Sequence, residues 1–195
     1  MAGPLDLRFV TSADSLSGLP DSPAEVAVAG RSNVGKSSLL NALANRTGLA
    51  QTSKSPGRTR LLNCYRLEGA GTVVDLPGYG YAKAPAAQRA RWQRMIEGYL
   101  LGRDALVMVL VLVDAEIGPT PLDAQMLSWL RAHGLPHTVV ATKQDKVRPS
   151  RREARKGELA SGCGLPPSEV VWVSATKGTG IERLRAMLRS LIVSG

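Results

Sequence analysis

The sequence predicts an α/β domain: a six-stranded, mostly parallel sheet with one antiparallel strand and helices on both faces. Two observations carry that expectation. Short apolar runs alternate with helix-like segments along 195 residues, which is the pattern of a strand–helix repeat. One strand-to-helix junction, Gly30-Arg31-Ser32-Asn33-Val34-Gly35-Lys36-Ser37, has the G-x-x-x-x-G-K-[ST] form of a phosphate loop.

The elements follow in order. Residues 1–22 read as a lead-in to the sheet, and residues 23–195 as the domain proper. Residues 25–29 are a short apolar strand, and 37–44 a helix. Residues 46–60 are polar, with Gly48, Pro56 and Gly57, and read as an exposed loop. Residues 61–67 and 72–76 are strands joined by Glu68-Gly69-Ala70-Gly71. So short a link demands an antiparallel hairpin. Residues 86–100 form a helix. Residues 106–113 are apolar throughout, as in a strand buried on both faces. Residues 121–132 are helical, with Pro121 suited to the first turn. A strand at 137–141, a helix at 150–160 and a strand at 170–173 come next. The last helix spans 180–193, with Ile181, Leu184, Leu188 and Ile192 at helical spacing.

Composition narrows the function classes. Hydrophobic residues make up 44% and charged residues 21% of the chain, close to globular averages. The longest apolar run, 105–113, is too short to span a bilayer, which takes roughly 20 residues. The first twenty residues carry Asp6, Asp14 and a single Arg8, with no apolar stretch typical of a signal peptide. Two cysteines, Cys64 and Cys163, do not make a disulfide framework. The expectation is a cytoplasmic protein with no membrane contact.

Charge points to a polyanion. The formal net charge is +9. Three segments, 54–66, 83–94 and 148–156, each carry net +4, so the rest of the chain is net negative. Localised basic charge suits a nucleic-acid backbone. The eight aromatic residues form no platform interleaved with basic ones. Any RNA contact is therefore expected through backbone and shape. For a single segment, a solvated helix face is the simpler reading.

The chemistry lies in four short strings. In the phosphate loop, glycines let backbone N–H groups turn toward phosphate oxygens. Lys36 reaches the β and γ oxygens, and the Ser37 hydroxyl suits Mg²⁺. Asp75-Leu76-Pro77-Gly78 ends a strand 39 residues after Lys36. Here the Asp75 carboxylate suits a Mg²⁺-bound water, and the Gly78 N–H a γ-phosphate. Thr142-Lys143-Gln144-Asp145 follows the fifth strand. Guanine presents two adjacent donors, which one carboxylate accepts and which adenine lacks. Asp145 therefore selects guanine, and the Lys143 stem suits the base face. Ser174-Ala175-Thr176 follows the sixth strand, where the Ala175 N–H suits guanine O6. Each string is weak alone. All four in order at strand ends are strong, because ligands of open α/β sheets bind there.

With these residues in view, the chain resembles a translation-factor-class, TrmE–Era-like P-loop GTPase, and more narrowly the EngB/YihA family of ribosome-biogenesis GTPases. The resemblance rests on Gly30-Arg31-Ser32-Asn33-Val34-Gly35-Lys36-Ser37-Ser38-Leu39, Ser53-Lys54-Ser55-Pro56-Gly57-Arg58-Thr59, Asp75-Leu76-Pro77-Gly78-Tyr79-Gly80-Tyr81-Ala82-Lys83 and Thr142-Lys143-Gln144-Asp145-Lys146. The lead-in Phe9-Val10-Thr11-Ser12-Ala13 is also similar. The match covers residues 9–193, and the string at 79–83 is its most specific part. It implies a single GTPase domain that binds GTP or GDP with Mg²⁺. It also implies a cytoplasmic monomer that helps assemble the large ribosomal subunit from its precursor, in a family linked to cell division and septation.

The resemblance also assigns roles. Thr59 would be the switch I threonine, on Mg²⁺ and the γ-phosphate, within a switch at 46–60; a second switch would span 78–90. Both are expected to be ordered only by γ-phosphate and Mg²⁺ contacts. The catalytic set is then Lys36, Thr59 and Gly78, and the Mg²⁺ set Ser37, Thr59 and Asp75. Nucleotide contacts are expected from residues 30–38, Gly57, Arg58 and Thr59, and 75–78, 142–145 and 174–176. Thr142 replaces the asparagine commonest in the wider class, and threonine recurs in this family. Tyr79 stands where Ras-like enzymes place the glutamine that orients water, so intrinsic hydrolysis should be slow. Asn33 resembles a phosphate-loop asparagine that helps hold K⁺ in some related GTPases. A cap on the loop's own backbone fits it equally.

Two other classes compete. A Ras-like signalling switch with a protein effector would carry a lipid address; the C-terminus has no prenylation cysteine, and Ala2 stands where myristoylation needs glycine. A P-loop kinase would need an acceptor site and would not need Asp145. Trp92, Trp129 and Trp172 read as packing residues, and Cys64 as a packed thiol.

Overall fold

The computed structural model describes residues 3–50, 61–68, 71–80 and 86–193. Its strands are β1 (Leu7–Ala13), β2 (Glu25–Gly30), β3 (Leu62–Leu67), β4 (Gly71–Asp75), β5 (Leu106–Asp114), β6 (His137–Thr142) and β7 (Val170–Trp172). Its helices are α1 (Lys36–Ala44), α2 (Ala86–Gly102), α3 (Pro121–Ala132), α4 (Arg152–Gly162) and α5 (Ile181–Val193). Each expected element is present, with ends within two residues.

The strand count corrects the expectation of six. The sheet has seven strands in the order β1-β3-β4-β2-β5-β6-β7. The additional strand is β1, from the lead-in. It lies on the sheet edge and buries only its two ends, Leu7 and Ala13. With one flank in solvent and a register shift between Phe9 and Thr11, it lacks the alternation that marks a half-buried strand. β3 is antiparallel to both β1 and β4, and every other pairing is parallel. β3 is thus the one reversed strand, as expected.

The two faces carry separate cores. Alternation along β5 sends Val109, Val111 and Val113 to one face and Leu110 and Leu112 to the other, all fully buried. The first face packs against α2, α3 and α4 through residues such as Tyr99, Leu127 and Leu159. The second packs against α1 and α5 through Leu39, Leu40, Leu184 and Leu188. The helical spacing of Ile181, Leu184, Leu188 and Ile192 therefore marks one buried face. The three tryptophans are half-buried, and Cys64 is fully buried on β3.

This topology positions the site. From β2 the chain leaves through α1 on the second face; from β5 it leaves through α3 on the first. β2 and β5 are neighbours. Their carboxyl ends therefore open a crevice between diverging connections, the switch point at which such sheets bind ligands.

Candidate functional site

The phosphate-loop residues join β2 to α1 at this crevice. Gly35 caps α1 with φ of +107°, a conformation that disfavours any side chain. The first N–H groups of α1 have no intrahelical partner, which suits them to anion oxygens. Val34 is buried in the second-face core, so it can meet a ligand only through its backbone. Asn33 is exposed at φ 65°.

Lys36 begins α1 and points its Nζ to within 4.0 Å of Asp75 Oδ1, at the end of β4. Asp75 is 3% exposed, and its Oδ1 has no hydrogen-bond partner among the described residues. Burial pushes this carboxyl up to about 6, and the Lys36 ammonium offsets part of the rise. A buried carboxylate oxygen with no donor is the donor chemistry of a hard divalent cation. Asp75 and the Ser37 hydroxyl in the first turn of α1 therefore fit Mg²⁺. Leu76, after Asp75, is a core residue on the first face. Gly78 follows Pro77 and lies against the loop: a Cβ there would sit 3.0 Å from both the backbone nitrogen and the hydroxyl of Ser32. Gly57, Arg58 and Thr59 lie outside the described residues, as does the rest of 51–60.

The loops after β6 and β7 converge beside α1. Thr142 is 4% exposed, and its hydroxyl lies 2.7 Å from the Val34 carbonyl and 3.2 Å from that of Val113. It ties the end of β6 to the phosphate loop. Lys143 takes φ 56° and donates from Nζ to the Asn33 carbonyl (2.8 Å) and Asp114 Oδ2 (2.7 Å). Asp145 Oδ1 accepts the hydroxyl of buried Ser174 at 2.6 Å. That bond, foremost, holds the Asp145 carboxyl below the usual range. Ser174 Oγ also accepts the Lys177 N–H at 3.0 Å, fixing the loop that carries Ala175 and Thr176. The structure thus brings four of the expected strings to one end of the sheet.

Two buried carboxylates at the crevice escaped the sequence reading. Asp114 ends β5, and besides Lys143 it accepts the N–H groups of Glu116 and Ile117. Its place after a long apolar run, at a strand's carboxyl end, was a usable signal. Asp123, in the first turn of α3, meets Arg31 of the phosphate loop (3.3 Å) and Tyr79 (2.9 Å). Nothing local marks it beyond the capping pattern of a helix start.

The basic segments are unevenly exposed. In 148–156, Arg151 and Arg155 share Glu158, and Lys156 pairs with Glu153. Exposed pairs of this kind are weak and leave the segment positive. Arg91 on α2 lies 3.7 Å from Asp14 with its side chain 74% exposed, and Arg94 is exposed. Residues 54–60 and 83–85 lie outside the described residues.

A doubly wound sheet opening at this point, with a lysine-bearing phosphate loop at its switch point and a carboxylate held in the loop after β6, is that of a P-loop GTPase. Residues 25–143 match the family described as 50S ribosome-binding GTPase. The chain is 47% identical to "Probable GTP-binding protein EngB" of Pelotomaculum thermopropionicum, over 91% of this chain and 90% of that one. It is 43% identical to the protein of the same name from Geobacter sulfurreducens, over 88% and 83%. The fold is similar to the crystal structure of a probable GTP-binding protein engB, with TM-score 0.72 at 26% identity, covering 88% of this chain and 100% of that one. The chain belongs to the EngB family of GTP-binding proteins, and it is a GTPase.

Proposed function

We propose that the chain is a GTP-dependent assembly factor for the large ribosomal subunit, acting as a monomer in the cytoplasm with slow intrinsic hydrolysis. The observation that supports this most is the pairing of an orphaned Asp75 with Lys36 and of Asp145 with Ser174 at one crevice, in a chain whose family is described as 50S ribosome-binding. The link to septation rests on the family resemblance.

Each residue then has a role. Lys36 binds β- and γ-phosphate oxygens. Ser37, Asp75 and Thr59 would hold Mg²⁺, which would supply charge neutralisation. The Gly78 N–H donates to the γ-phosphate. Asp145 accepts the two guanine donors, and the Ala175 N–H donates to O6. Asp114 and the Asn33 carbonyl hold the Lys143 head, so its stem can lie along the base. Hydrolysis is slow because Tyr79, next to Gly78, spends its hydroxyl on Asp123 and offers no amide to orient water.

A potassium ion beside Asn33 would supply part of the missing positive charge. Single-turnover hydrolysis is then expected to run faster in K⁺ than in Na⁺ at equal ionic strength, with Asn33→Ala abolishing the difference. Equal wild-type rates in the two salts would remove potassium from the reading.

Co-sedimentation with purified large subunits tests the ribosomal role. The form bound to a non-hydrolysable GTP analogue is expected to bind more tightly than the GDP form. Binding should weaken steeply with salt as counterions return to the phosphates. Replacing Arg91 and Arg94 with Gln should flatten that log–log slope by about 2 units. Equal binding in both nucleotide states, or a double variant with the wild-type slope, would count against the proposal.

A further inference from the structure

We infer that Asp123 is a positioning residue of the GTPase site, which clamps Tyr79 and Arg31 and so holds Gly78 in register against the phosphate loop. The inference deepens the proposed function, because it rests on the Gly78 N–H meeting the γ-phosphate.

Asp123 is 0% exposed. Its two oxygens divide the work. Oδ2 accepts the Thr120 N–H (2.8 Å) and the Thr120 hydroxyl (2.7 Å), which completes the capping box of α3. Oδ1 takes no part in the cap and accepts the Tyr79 hydroxyl at 2.9 Å. Arg31 Nε lies 3.3 Å from Oδ2, outside hydrogen-bond geometry, so that contact is a Coulombic one. Helix capping therefore explains Oδ2, while Oδ1, equally buried, takes its donor from the loop after β4 rather than from its own helix. Burial, reinforced by Asp123, raises the Tyr79 phenol far above its ordinary value, so it remains a donor.

The backbone shows what the clamp holds. Tyr79 N–H donates to the Gly30 carbonyl (3.3 Å), and Ser32 N–H donates to the Tyr79 carbonyl (3.1 Å). This forms a single parallel bridge between Arg31 and Tyr79. A lone bridge of two long bonds is a weak anchor. Asp123 hydrogen-bonds the side chain of one member, Tyr79, and attracts the charge of the other, Arg31, from an element rooted in the first-face core. Gly80 continues along α3, where a Cβ would approach Leu122 Cδ1 to 2.8 Å. Gly78, between Pro77 and this clamp, is thereby fixed on Ser32. A hydrogen bond to a phosphate oxygen weakens steeply with misalignment, so the clamp matters to a triphosphate and is irrelevant to a diphosphate.

The test is the ratio of affinities for a non-hydrolysable GTP analogue and for GDP, by fluorescence titration. Tyr79→Phe keeps the ring and removes only the hydroxyl. It is expected to weaken the analogue about fivefold or more and leave GDP within twofold. Asp123→Asn should act in the same direction, and the double variant should be no worse than the worse single. Thr120→Val, which removes the cap's hydroxyl and leaves the clamp, should lower Tm and keep the wild-type ratio. If Asp123→Asn does not fold, Tyr79→Phe decides alone. A wild-type ratio in Tyr79→Phe, or equal losses for both nucleotides, would reduce Asp123 to a helix cap. Failure of the γ-phosphate reading looks different: Gly78→Ala, whose Cβ would press on Ser32, would then also keep the wild-type ratio.

Discussion

Asp145→Asn is expected to weaken GTP binding by about 1.5–3 kcal/mol, on the order of ten- to hundred-fold, and to improve binding of xanthosine triphosphate. A carboxylate accepts from guanine N1–H and the 2-amino group together, and both bonds are charge-assisted. The structure prepares it for that task. Ser174 donates to Oδ1 at 2.6 Å, which orients the carboxylate. Thr176 adds a further side-chain hydrogen bond to the same carboxylate. With its carboxyl held below the usual range, Asp145 stays ionised at every pH above that range. GTP affinity should therefore not fall through Asp145 protonation between about pH 8 and pH 5. Asparagine loses the charge and turns an NH₂ toward one guanine donor. Xanthine carries a carbonyl where guanine carries its amine, so the same NH₂ becomes a partner. A nucleotide titration checks both arms, and an unchanged GTP Kd would defeat the assignment.

The site's backbone was legible because its chemistry is local. Phosphates demand glycines, a lysine and a hydroxyl at fixed spacing between a strand and a helix, and residues 30–37 satisfy that demand within eight positions. Asp75 stands out as a carboxylate that ends a strand, and Asp145 as one three residues past the end of the next-to-last strand. The cross-links between these strings were not legible. Tyr79 and Asp123 lie 44 residues apart, and Lys143 and Asp114 lie 29 apart. Spacing of that kind carries no periodic signal, and a helix-start Asp reads as a cap whether or not it also grips a distant loop. Thr142 shows the same limit: as the variable letter of a base-binding string it suggests a ligand contact, whereas the fold spends its hydroxyl on Val34 and Val113. β1 escaped for another reason. An edge strand buries too little to impose alternation.

Glu25 marks the furthest reach of this limit, and Glu25→Ala is expected to cost about 3–5 kcal/mol of folding stability. By sequence it only opens an apolar strand. In the structure it is 0% exposed at the amino end of β2, across the sheet from the nucleotide crevice. Its Oε1 accepts Tyr99 Oη (2.8 Å) and Arg103 Nε (2.9 Å). Its Oε2 accepts Thr72 Oγ1 (2.6 Å) and Arg103 Nη2 (3.1 Å). Removing the carboxylate orphans two hydroxyls and leaves a guanidinium, its side chain 12% exposed, with only the Pro20 carbonyl as acceptor among the described residues. An unpaired buried charge is the costly case, whereas replacing both charges by apolar groups is often close to neutral. Glu25→Met with Arg103→Met should therefore be less destabilised than Glu25→Ala, by about 1–3 kcal/mol. Urea unfolding of the two variants and the wild type checks this. GDP affinity of the folded protein should be unchanged in both, because the network lies at the opposite ends of the strands. A Glu25→Ala loss under about 1 kcal/mol, or a double variant less stable than the single, would show that the buried pair contributes little and that packing around Tyr99 holds this end of the sheet.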